Sequence, residues 1–140
     1  MKKLLVTGGA GFIGTNFVCY MAGKGYGITV LDKLTYAGGK DNLEPLINSG
    51  KVNFITGDIC DEDAVKKALE GAEAVIHFAA ESHNTRSETD PDLFYRTNVK
   101  GTQVMLENSF TSGVKKFIHI STDEVYGSIA DGYFAEGDKK

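Results

Sequence analysis

Two stretches of the sequence carry residue types that could do chemistry. One is the glycine-rich segment 7–14, TGGAGFIG, and the other is segment 121–127, STDEVYG, where Asp123 and Glu124 stand side by side. Glycines let a backbone approach phosphates without an intervening side chain. Two carboxyl groups can divide acid and base roles between them, although adjacent acids are also typical of a solvated turn. The segments predict phosphate binding and proton transfer if the fold brings them to one edge.

Short apolar runs alternate with helical signals along the chain. The runs predict five strands, at residues 4–6, 28–31, 52–55, 74–78 and 116–121. Helices are expected over residues 12–23, 41–47, 61–71 and 90–113, with Asp61 and Asp90 as N-caps. Parallel strands covered on both faces produce such fully apolar runs, and helical crossovers join them. The pattern predicts an α/β fold, a Rossmann-type doubly wound parallel sheet of about five strands.

A single domain is expected over residues 1–140, because no linker or repeat interrupts the alternation. Residues 122–140 show no convincing helix or strand. A doubly wound fold of two halves normally continues with a helix and a sixth strand. The domain is therefore expected to be incomplete, without a C-terminal substrate domain.

The glycine-rich segment lies between the first strand and the first helix, where a pyrophosphate would meet unpaired amides. Gly8 permits a tight turn, Gly11 lets the backbone approach the phosphates, and Gly14 lets the helix pack closely. Asp32 follows Gly14 by 18 residues and ends the second strand. Its carboxylate can accept a hydrogen bond from a ribose 2′-hydroxyl and would repel a 2′-phosphate, which favours NAD over NADP. The alternative is that the glycines are ordinary turns and Asp32 a surface acid.

Later strand ends offer further candidates for the cofactor. Asp58 and Ile59, after the third strand, are placed to bound the adenine, or else Asp58 merely caps the next segment. Phe78, Ala79 and Ala80 end the fourth strand with small residues that leave room for a cofactor, although small residues suit any crowded sheet edge.

These segments together resemble the extended short-chain dehydrogenase/reductase family, and within it the nucleotide-sugar 4,6-dehydratases. The resemblance rests on TGGAGFIG at 7–14, DKLTYAG at 32–38, GDICD at 57–61, HFAAESH at 77–83, RTNVKGT at 96–102 and STDEVYG at 121–127. Asp123 discriminates most, because related epimerases and decarboxylases generally carry another residue there. The resemblance implies NAD-dependent dehydration of a nucleotide-activated hexose, dTDP-glucose, to its 4-keto-6-deoxy sugar.

The resemblance also implies roles for individual residues. Asp123 would be the acid, Glu124 the base, and Thr122 would hydrogen-bond the C4 oxygen, with the pKa of Asp123 raised in a closed pocket. Ser82 and His83 would contact the substrate, and no metal is implied. Asn84, Thr85 and Glu88 depart from the family pattern, so the particular nucleotide sugar stays open. The implied cofactor residues are Gly8, Gly11, Phe12, Ile13, Gly14, Asp32, Lys33, Thr35, Asp58, Ile59, Phe78, Ala79, Ala80, Thr97 and Ser121.

One part of the family's catalytic apparatus has no counterpart in the sequence. Its base for the C4 hydroxyl is a tyrosine followed four residues later by lysine, on the helix after the fifth strand. The two matches to this spacing, Tyr20 with Lys24 and Tyr36 with Lys40, lie much earlier in the chain. The chain alone is therefore expected to be inactive. The alternatives are a nucleotide-sugar 4-epimerase or decarboxylase, or a non-catalytic NAD-binding module.

The composition of the chain indicates which kinds of partner it is expected to bind. With 15 basic and 19 acidic side chains and a formal charge of −4, the chain is not expected to bind nucleic acid. No apolar run is long enough to cross a membrane, and a cytoplasmic location is expected. His77 and His119 are interpreted as core histidines, and Cys19 and Cys60 as small buried side chains. The helix from Pro91 resembles a dimer-interface helix, so a homodimer is expected of full-length family members and stays open for this chain.

Overall fold

The computed structural model describes residues 2–139 and contains a five-stranded parallel sheet. The strand ranges are β1 Lys3–Thr7, β2 Gly27–Asp32, β3 Val52–Thr56, β4 Ala74–His77 and β5 Lys116–His119. The strands stand in the order β3-β2-β1-β4-β5, which confirms the predicted doubly wound topology.

Helical segments connect the strands. The α-helical ranges are α1 Phe12–Gly23, α2 Glu44–Asn48, α3 Glu62–Leu69, α4 Asn84–Thr89, α5 Pro91–Phe94 and α6 Thr102–Thr111. Helix α1 follows the glycine-rich turn. The connection from β4 to β5 contains α4 and then one long helix, which begins at Pro91 and consists of α5, the π-helical stretch Tyr95–Gly101 and α6. A 3-10 turn, Lys40–Leu43, leads into α2, and another, Asp123–Tyr126, follows β5.

The predicted helix starts are capped as their residue types require. The Asp61 carboxylate accepts hydrogen bonds from the backbone N–H groups of Asp63 and Ala64 at the start of α3. The Asp90 carboxylate accepts one from Leu93, with Pro91 as the first helical residue. These local signals explain why the helix positions could be predicted.

The sheet has a buried core on each face. Leu5 and Val6 are neighbours in β1, point to opposite faces and are both fully buried. One face packs against α1 through Val18, and the other against α3 and α6 through Val65 and Met105. The fully apolar β1 run therefore corresponds to a strand covered on both sides.

The edge strand β5 differs from the prediction. It ends at His119 instead of Ser121, although the Ile120 N–H still donates to the His77 carbonyl at 3.0 Å. His119 is exposed, so its interpretation as a core histidine is wrong. The reason is positional, because an edge strand has a neighbour on one side only, and here most of its residues face solvent.

Both cysteines are more accessible than expected. Cys19 is exposed on α1, and Cys60 is half-buried in the turn before α3. The Cys60 sulfur lies 3.2 Å from the Arg96 carbonyl oxygen, and burial together with the Asp58 carboxylate raises the pKa of this thiol. Helix periodicity places Cys19 on the outer face of α1, which composition alone could not reveal.

Candidate functional site

The glycine-rich turn is shaped by contacts that leave no room for side chains. Gly8 has a φ of +66°, and a Cβ atom built on it would lie 2.7 Å from the Ala79 nitrogen. A Cβ atom on Gly14 would lie 2.8 Å from the Gly9 Cα atom. Gly11 differs, because a Cβ atom there would meet only the Gly8 oxygen, at 3.4 Å. Gly8 and Gly14 thus serve the fold, whereas Gly11 has room for a Cβ atom.

Two large apolar side chains are exposed where α1 begins. Phe12 is 86% and Ile13 64% exposed in the first turn of the helix. The N-cap residue Gly11 offers no side chain to the first N–H groups of α1. Unpaired amides and the positive end of the helix dipole favour an anion at this position. The turn therefore combines anion-binding groups with an apolar surface that a ligand could cover.

Asp32 fastens this turn to the end of β2. Its Oδ2 atom accepts a hydrogen bond of 2.9 Å from the Ala10 N–H, and its Oδ1 atom one of 2.9 Å from the Leu34 N–H. The side chain is half-buried. Carboxylate oxygens have further lone pairs, so both atoms can still accept hydrogen bonds from a ribose.

The segment after β2 reaches across the sheet. The Lys33 ammonium donates to the Thr97 hydroxyl at 3.1 Å and lies 3.7 Å from the Glu81 carboxylate. Thr35 is half-buried, and its carbonyl accepts a hydrogen bond from Gly38. Thr97 is buried in the π-helical stretch, so the segments after β2 and β4 meet at this helix.

Glu81 was not singled out by sequence reasoning. It is 6% exposed, and its backbone N–H and carbonyl both bond the Asn98 side-chain amide, at 2.8 and 2.9 Å. The signal available in the sequence was an acid following two small residues at the end of a buried strand. Its pairing with Lys33, 48 positions earlier in the sequence, is a tertiary contact that no local pattern contains.

The residues after β3 are held by the protein itself. The Asp58 carboxylate accepts a hydrogen bond from the Cys60 N–H at 2.9 Å and lies 3.7 Å from the Arg96 guanidinium. The Ile59 side chain is buried, and a Cβ atom on Gly101 would lie 2.6 Å from its Cγ1 atom. Asp58 therefore caps its own turn, while Ile59 packs against the helix that carries Thr97.

The end of β4 is organised around a buried histidine. His77 Nδ1 lies 2.6 Å from the Thr7 hydroxyl, and its Nε2 lies 3.1 Å from the Thr102 hydroxyl. Burial, and secondarily the nearby His119, lowers the pKa of His77 to about 4, so the ring is neutral near pH 7. The Thr7 hydroxyl also accepts a hydrogen bond from the Ala79 N–H at 3.3 Å. The interpretation of His77 as a satisfied core histidine is confirmed.

The three residues that follow β4, Phe78 to Ala80, lie in different surroundings. Ala79 lies directly against Gly8, whereas Ala80 is exposed. Phe78 is half-buried, with its ring centroid 5.4 Å from that of Phe17 on α1. Small side chains thus line the edge beside the turn, and the aromatic ring belongs to the core below it.

The adjacent acids lie in the 3-10 turn after β5. The Thr122 hydroxyl accepts a hydrogen bond from the Glu124 N–H at 2.9 Å, and lies 3.5 Å from both the Asp123 and the Glu124 carboxylate. All three residues are exposed. An open depression of about 420 Å³ is lined by Ser121, Thr122, Asp123, Val125 and Tyr126. The carboxylates therefore face solvent and do not lie in the closed pocket that was expected, because this turn follows the edge strand β5.

The loop after β4 meets the loop after β2. Ser82 and His83 are exposed, and the His83 ring centroid lies 5.7 Å from that of Tyr36. The Arg86 guanidinium carbon stands 4.0 Å from the centroid of the Tyr36 ring, a cation–π contact. The contact between Arg86 and Tyr36 thus joins α4 to the loop after β2.

The tyrosine–lysine pairs do not join these groups as a catalytic pair. Lys24 lies 5.3 Å from the centre of the Tyr20 ring, on the exposed surface of α1 near its carboxyl end. Lys40 lies over the Phe54 ring, whereas Tyr36 contacts Arg86. These placements agree with giving neither pair a catalytic role.

All the candidate residues after strands lie at one edge, because the carboxyl ends of parallel strands coincide. The structure brings together the glycine-rich turn, Asp32, Lys33 and Thr97. The acids of segment 121–127 follow the edge strand β5 and lie apart from this group. Among residues 2–139, no group of three or more His, Cys, Asp or Glu side chains is arranged to hold a metal ion. No helix in the same range is long and apolar enough to cross a membrane.

The strand order and the glycine-rich turn at its carboxyl edge define a doubly wound α/β protein of the Rossmann type. A family model described as the NAD dependent epimerase/dehydratase family matches residues 4–139. The chain belongs to this family.

Several relatives of this chain are described as dTDP-glucose 4,6-dehydratases. The dTDP-glucose 4,6-dehydratase of Streptomyces niveus is 48% identical over 140 residues, which cover 96% of this chain and 42% of the relative. The dTDP-D-glucose 4,6-dehydratase of Mus musculus is 43% identical over 143 residues, covering 99% of this chain and 40% of the relative. The chain thus spans about two fifths of the length of these curated relatives.

Solved structures agree with this fold. DesIV, a dTDP-glucose 4,6-dehydratase from Streptomyces venezuelae solved with NAD and TYD bound, superposes with a TM-score of 0.90 at 45% identity, over 96% of this chain and 44% of that one. The UDP-Glc/GlcNAc 4-epimerase of Campylobacter jejuni gives a TM-score of 0.89 at 32% identity, over 98% of this chain and 42% of that one. Both dehydratases and epimerases of nucleotide sugars therefore share this half of the fold.

Proposed function

We propose that this chain binds NAD at the carboxyl edge of its sheet and supplies the acid–base carboxylates of a dTDP-glucose 4,6-dehydratase. The observation that carries the cofactor half is the turn at Gly11, which the protein leaves open between the first amides of α1 and the Asp32 carboxylate. The turn would receive the pyrophosphate, and Asp32 would accept hydrogen bonds from the adenosine ribose. The structural fit agrees with the family to which the chain belongs.

The catalytic half of the proposal rests on segment 121–127. A bound NAD supplies a hydride acceptor for C4 of the sugar and later a hydride donor for C6. The Thr122 hydroxyl would hold the C4 oxygen, Glu124 would take the C5 proton, and Asp123 would protonate the C6 hydroxyl as it leaves as water. The Thr122 hydroxyl lies 3.5 Å from both carboxylates, so the three groups are close together on one turn, and the division of roles between the two acids follows the family resemblance.

Binding is expected to be separable from turnover. The family's catalytic tyrosine and lysine are four residues apart, and two pairs in the 140 residues have this spacing. Tyr20 and Lys24 contact each other on α1, whereas Tyr36 contacts Arg86 and Lys40 contacts Phe54. The chain alone is therefore expected to bind the cofactor without converting the sugar.

Fluorescence titration with NADH and product analysis with dTDP-glucose test the two halves. We expect saturable NADH binding by the chain and no 4-keto-6-deoxy sugar. Failure to bind NADH would contradict the cofactor half, and turnover by the chain alone would contradict the expected inactivity. Saturable binding with no turnover in any context would favour the non-catalytic NAD-binding module.

A chimeric protein tests whether these residues support turnover when they are joined to the rest of a dehydratase. Residues 1–140 joined to the remaining portion of the Streptomyces niveus relative are expected to give turnover. Asp123→Asn in the chimera should lower kcat by a factor of about 10² to 10⁴, the usual contribution of general acid–base catalysis. Asp131→Asn, an exposed acid outside the 3-10 turn, is the matched control and should leave kcat unchanged. Equal kcat values for Asp123→Asn and the control would remove Asp123 from the proposed chemistry.

A nucleotide-sugar 4-epimerase is the second candidate, because the Campylobacter jejuni epimerase shares this fold closely. The product distinguishes the two. A 4-keto-6-deoxy sugar shows a methyl signal in the proton NMR spectrum, which an epimerised sugar lacks. The Asp123 carboxylate favours the dehydratase, since elimination of water needs an acid that epimerisation does not.

A further inference from the structure

The glycine-rich turn is built on Gly8, which is held from both sides. The Gly8 N–H donates to the Leu31 carbonyl of β2 at 3.0 Å, and the Gly11 N–H closes the turn by donating to the Gly8 carbonyl at 3.2 Å. On the side of β4, a Cβ atom on Gly8 would lie 2.7 Å from the Ala79 nitrogen. The position of the Ala79 backbone therefore helps to set the position of the turn.

The side chain of Thr7 holds Ala79 in this place. Backbone pairing between β1 and the end of β4 reaches Phe78, whose N–H donates to the Thr7 carbonyl at 3.1 Å. One residue further, the Ala79 N–H donates to the Thr7 hydroxyl at 3.3 Å, so this side chain extends the pairing after β4 has ended. The bond requires a lone pair of the hydroxyl oxygen to point at the amide. The orientation of the Thr7 hydroxyl therefore matters for the turn.

His77 can fix that orientation. Its Nδ1 atom lies 2.6 Å from the Thr7 oxygen, and its Nε2 atom lies 3.1 Å from the Thr102 oxygen. Burial lowers the pKa of His77 to about 4, so near pH 7 the ring is neutral and only one of its nitrogens carries a proton. The unprotonated nitrogen accepts a hydroxyl proton, and the protonated nitrogen donates to an oxygen.

The burial of the two threonines indicates which nitrogen is unprotonated. Thr7 is fully buried, and among residues 2–139 its hydroxyl proton has no acceptor within hydrogen-bond distance other than Nδ1 of His77. Thr102 is only half-buried, so water can serve its side chain. A buried donor without an acceptor costs free energy, so the Thr7 proton is expected on the Nδ1 side. The ring then carries its own proton on Nε2 and donates it to Thr102.

We propose that His77 is a positioning residue for the cofactor site. Its unprotonated Nδ1 atom accepts the Thr7 hydroxyl proton and so turns the Thr7 oxygen toward the Ala79 N–H, which lies against the glycine-rich turn. The two ring nitrogens have different roles, because the Thr7 side leads to the turn and the Thr102 side leads to α6. This inference rests on the proposed function, in which the turn receives the pyrophosphate of NAD.

Two substitutions at His77 separate the roles of the nitrogens. The amide oxygen of asparagine is as many bonds from Cα as Nδ1 is, and that of glutamine is as many as Nε2. His77→Asn therefore keeps an acceptor for Thr7 and loses the bond to Thr102, whereas His77→Gln does the reverse. In fluorescence titrations, we expect NADH to bind His77→Asn as it binds the unsubstituted chain. It should bind His77→Gln about tenfold more weakly, the loss that corresponds to one hydrogen bond.

Two threonine variants repeat the comparison from the other end of each bond. Thr7→Val keeps the shape of the side chain and removes the hydroxyl, so it should weaken NADH binding to the same degree as His77→Gln. Thr102→Val makes the same change on the other side of the ring and is the matched control, which should leave NADH affinity unchanged. Urea unfolding of all four variants shows whether any loss of affinity merely follows a loss of stability.

The outcomes separate positioning from a merely structural role. If His77 only stabilises the fold, NADH affinity will fall in proportion to stability in all four variants, and the inference is wrong. Unchanged affinity in both His77→Gln and Thr7→Val would also overturn it, while leaving the proposed function in place. If the unsubstituted chain does not bind NADH, the proposed function is contradicted and the inference falls with it.

NMR of the unsubstituted chain tests the inference even if the variants do not fold. Long-range proton–nitrogen spectra of the His77 ring report which nitrogen carries the proton. We expect an unprotonated Nδ1 and a protonated Nε2 near pH 7. A protonated Nδ1 would overturn the inference, because the ring would then donate to the Thr7 oxygen and could not accept its proton.

Discussion

At the scale of single residues, the glycines of segment 7–14 have different reasons for being glycine. Gly8 combines a positive φ with backbone contacts, and Gly14 lies against the Gly9 Cα atom. A Cβ atom on Gly11 would meet only the Gly8 oxygen, at 3.4 Å. The motif assigns the three glycines different roles, and the structure likewise separates the two that shape the turn from Gly11, which has room for a Cβ atom.

Substituting Gly14 tests that distinction. Gly14→Ala places a Cβ atom 2.8 Å from the Gly9 Cα atom, so the turn must shift. We expect the free energy of unfolding to fall by about 1–3 kcal/mol, the usual cost of overpacking, and NADH binding to weaken. Gly23→Ala on the same helix is the control, because nothing lies within 4 Å of its Cβ position. Urea unfolding of the control should show unchanged or slightly higher stability, and an equal loss in both variants would contradict this assignment.

His77 predicts how stability depends on pH. Its pKa is about 4 in the folded chain against 6.5 as its ordinary value, so the unfolded chain takes up a proton first as the pH falls. The contribution is complete above about pH 6.5 and is lost progressively towards pH 4, reaching on the order of 3 kcal/mol. Urea unfolding at several pH values should show this loss, and His77→Gln should flatten it.

His83→Gln provides the matched control for that pH series. His83 is exposed on the loop after β4, and its replacement should leave the pH dependence as it is in the unsubstituted chain. An unchanged slope in His77→Gln would show that other groups cause the acid sensitivity.

At the scale of elements, the long helix after α4 presents apolar side chains to solvent. Tyr95, Val99, Leu106 and Phe110 are 66%, 51%, 48% and 87% exposed, and their spacing places them along one face. Contiguous exposed apolar surface of this kind marks an interaction surface. The homodimer expected of full-length family members remains a prediction for this chain.

Charge placed on that face should reduce association. Phe110→Glu is expected to shift the chain towards monomer in sedimentation velocity at concentrations where the unsubstituted chain associates. Lys100→Gln alters an exposed charged position of the same helix and should have no such effect. A monomeric unsubstituted chain at all concentrations would contradict the assigned role of this face.

The same helix shows what a sequence pattern could not provide. Asp90 and Pro91 mark its start by local chemistry, which is why that start was predicted correctly. The π-helical stretch Tyr95–Gly101 and the exposed faces of β5 depend on neighbours distant in the sequence. Helix α4, with the sequence NTRSET, carries no apolar periodicity and was missed for that reason.

At the scale of the whole molecule, prediction succeeded where burial on both faces of the sheet dictates residue type. The apolar runs of β1, β2 and β4 gave the strand positions, and the carboxyl edge followed from parallel pairing. The Lys33–Glu81–Asn98 contacts could not be predicted, because they join three loops whose approach is set by the assembled sheet.

The central position of the first strand has a consequence for synthesis of the chain. Leu4 pairs with Ile28 of β2 on one side and with Ala74 of β4 on the other. The hydrogen-bonding groups on the β4 side of β1 therefore stay unpaired until β4 has been synthesised. Long-range parallel pairing is slow and leaves such groups available to other chains. A nascent polypeptide halted before residue 74 would thus expose the unpaired hydrogen-bonding groups along one side of β1.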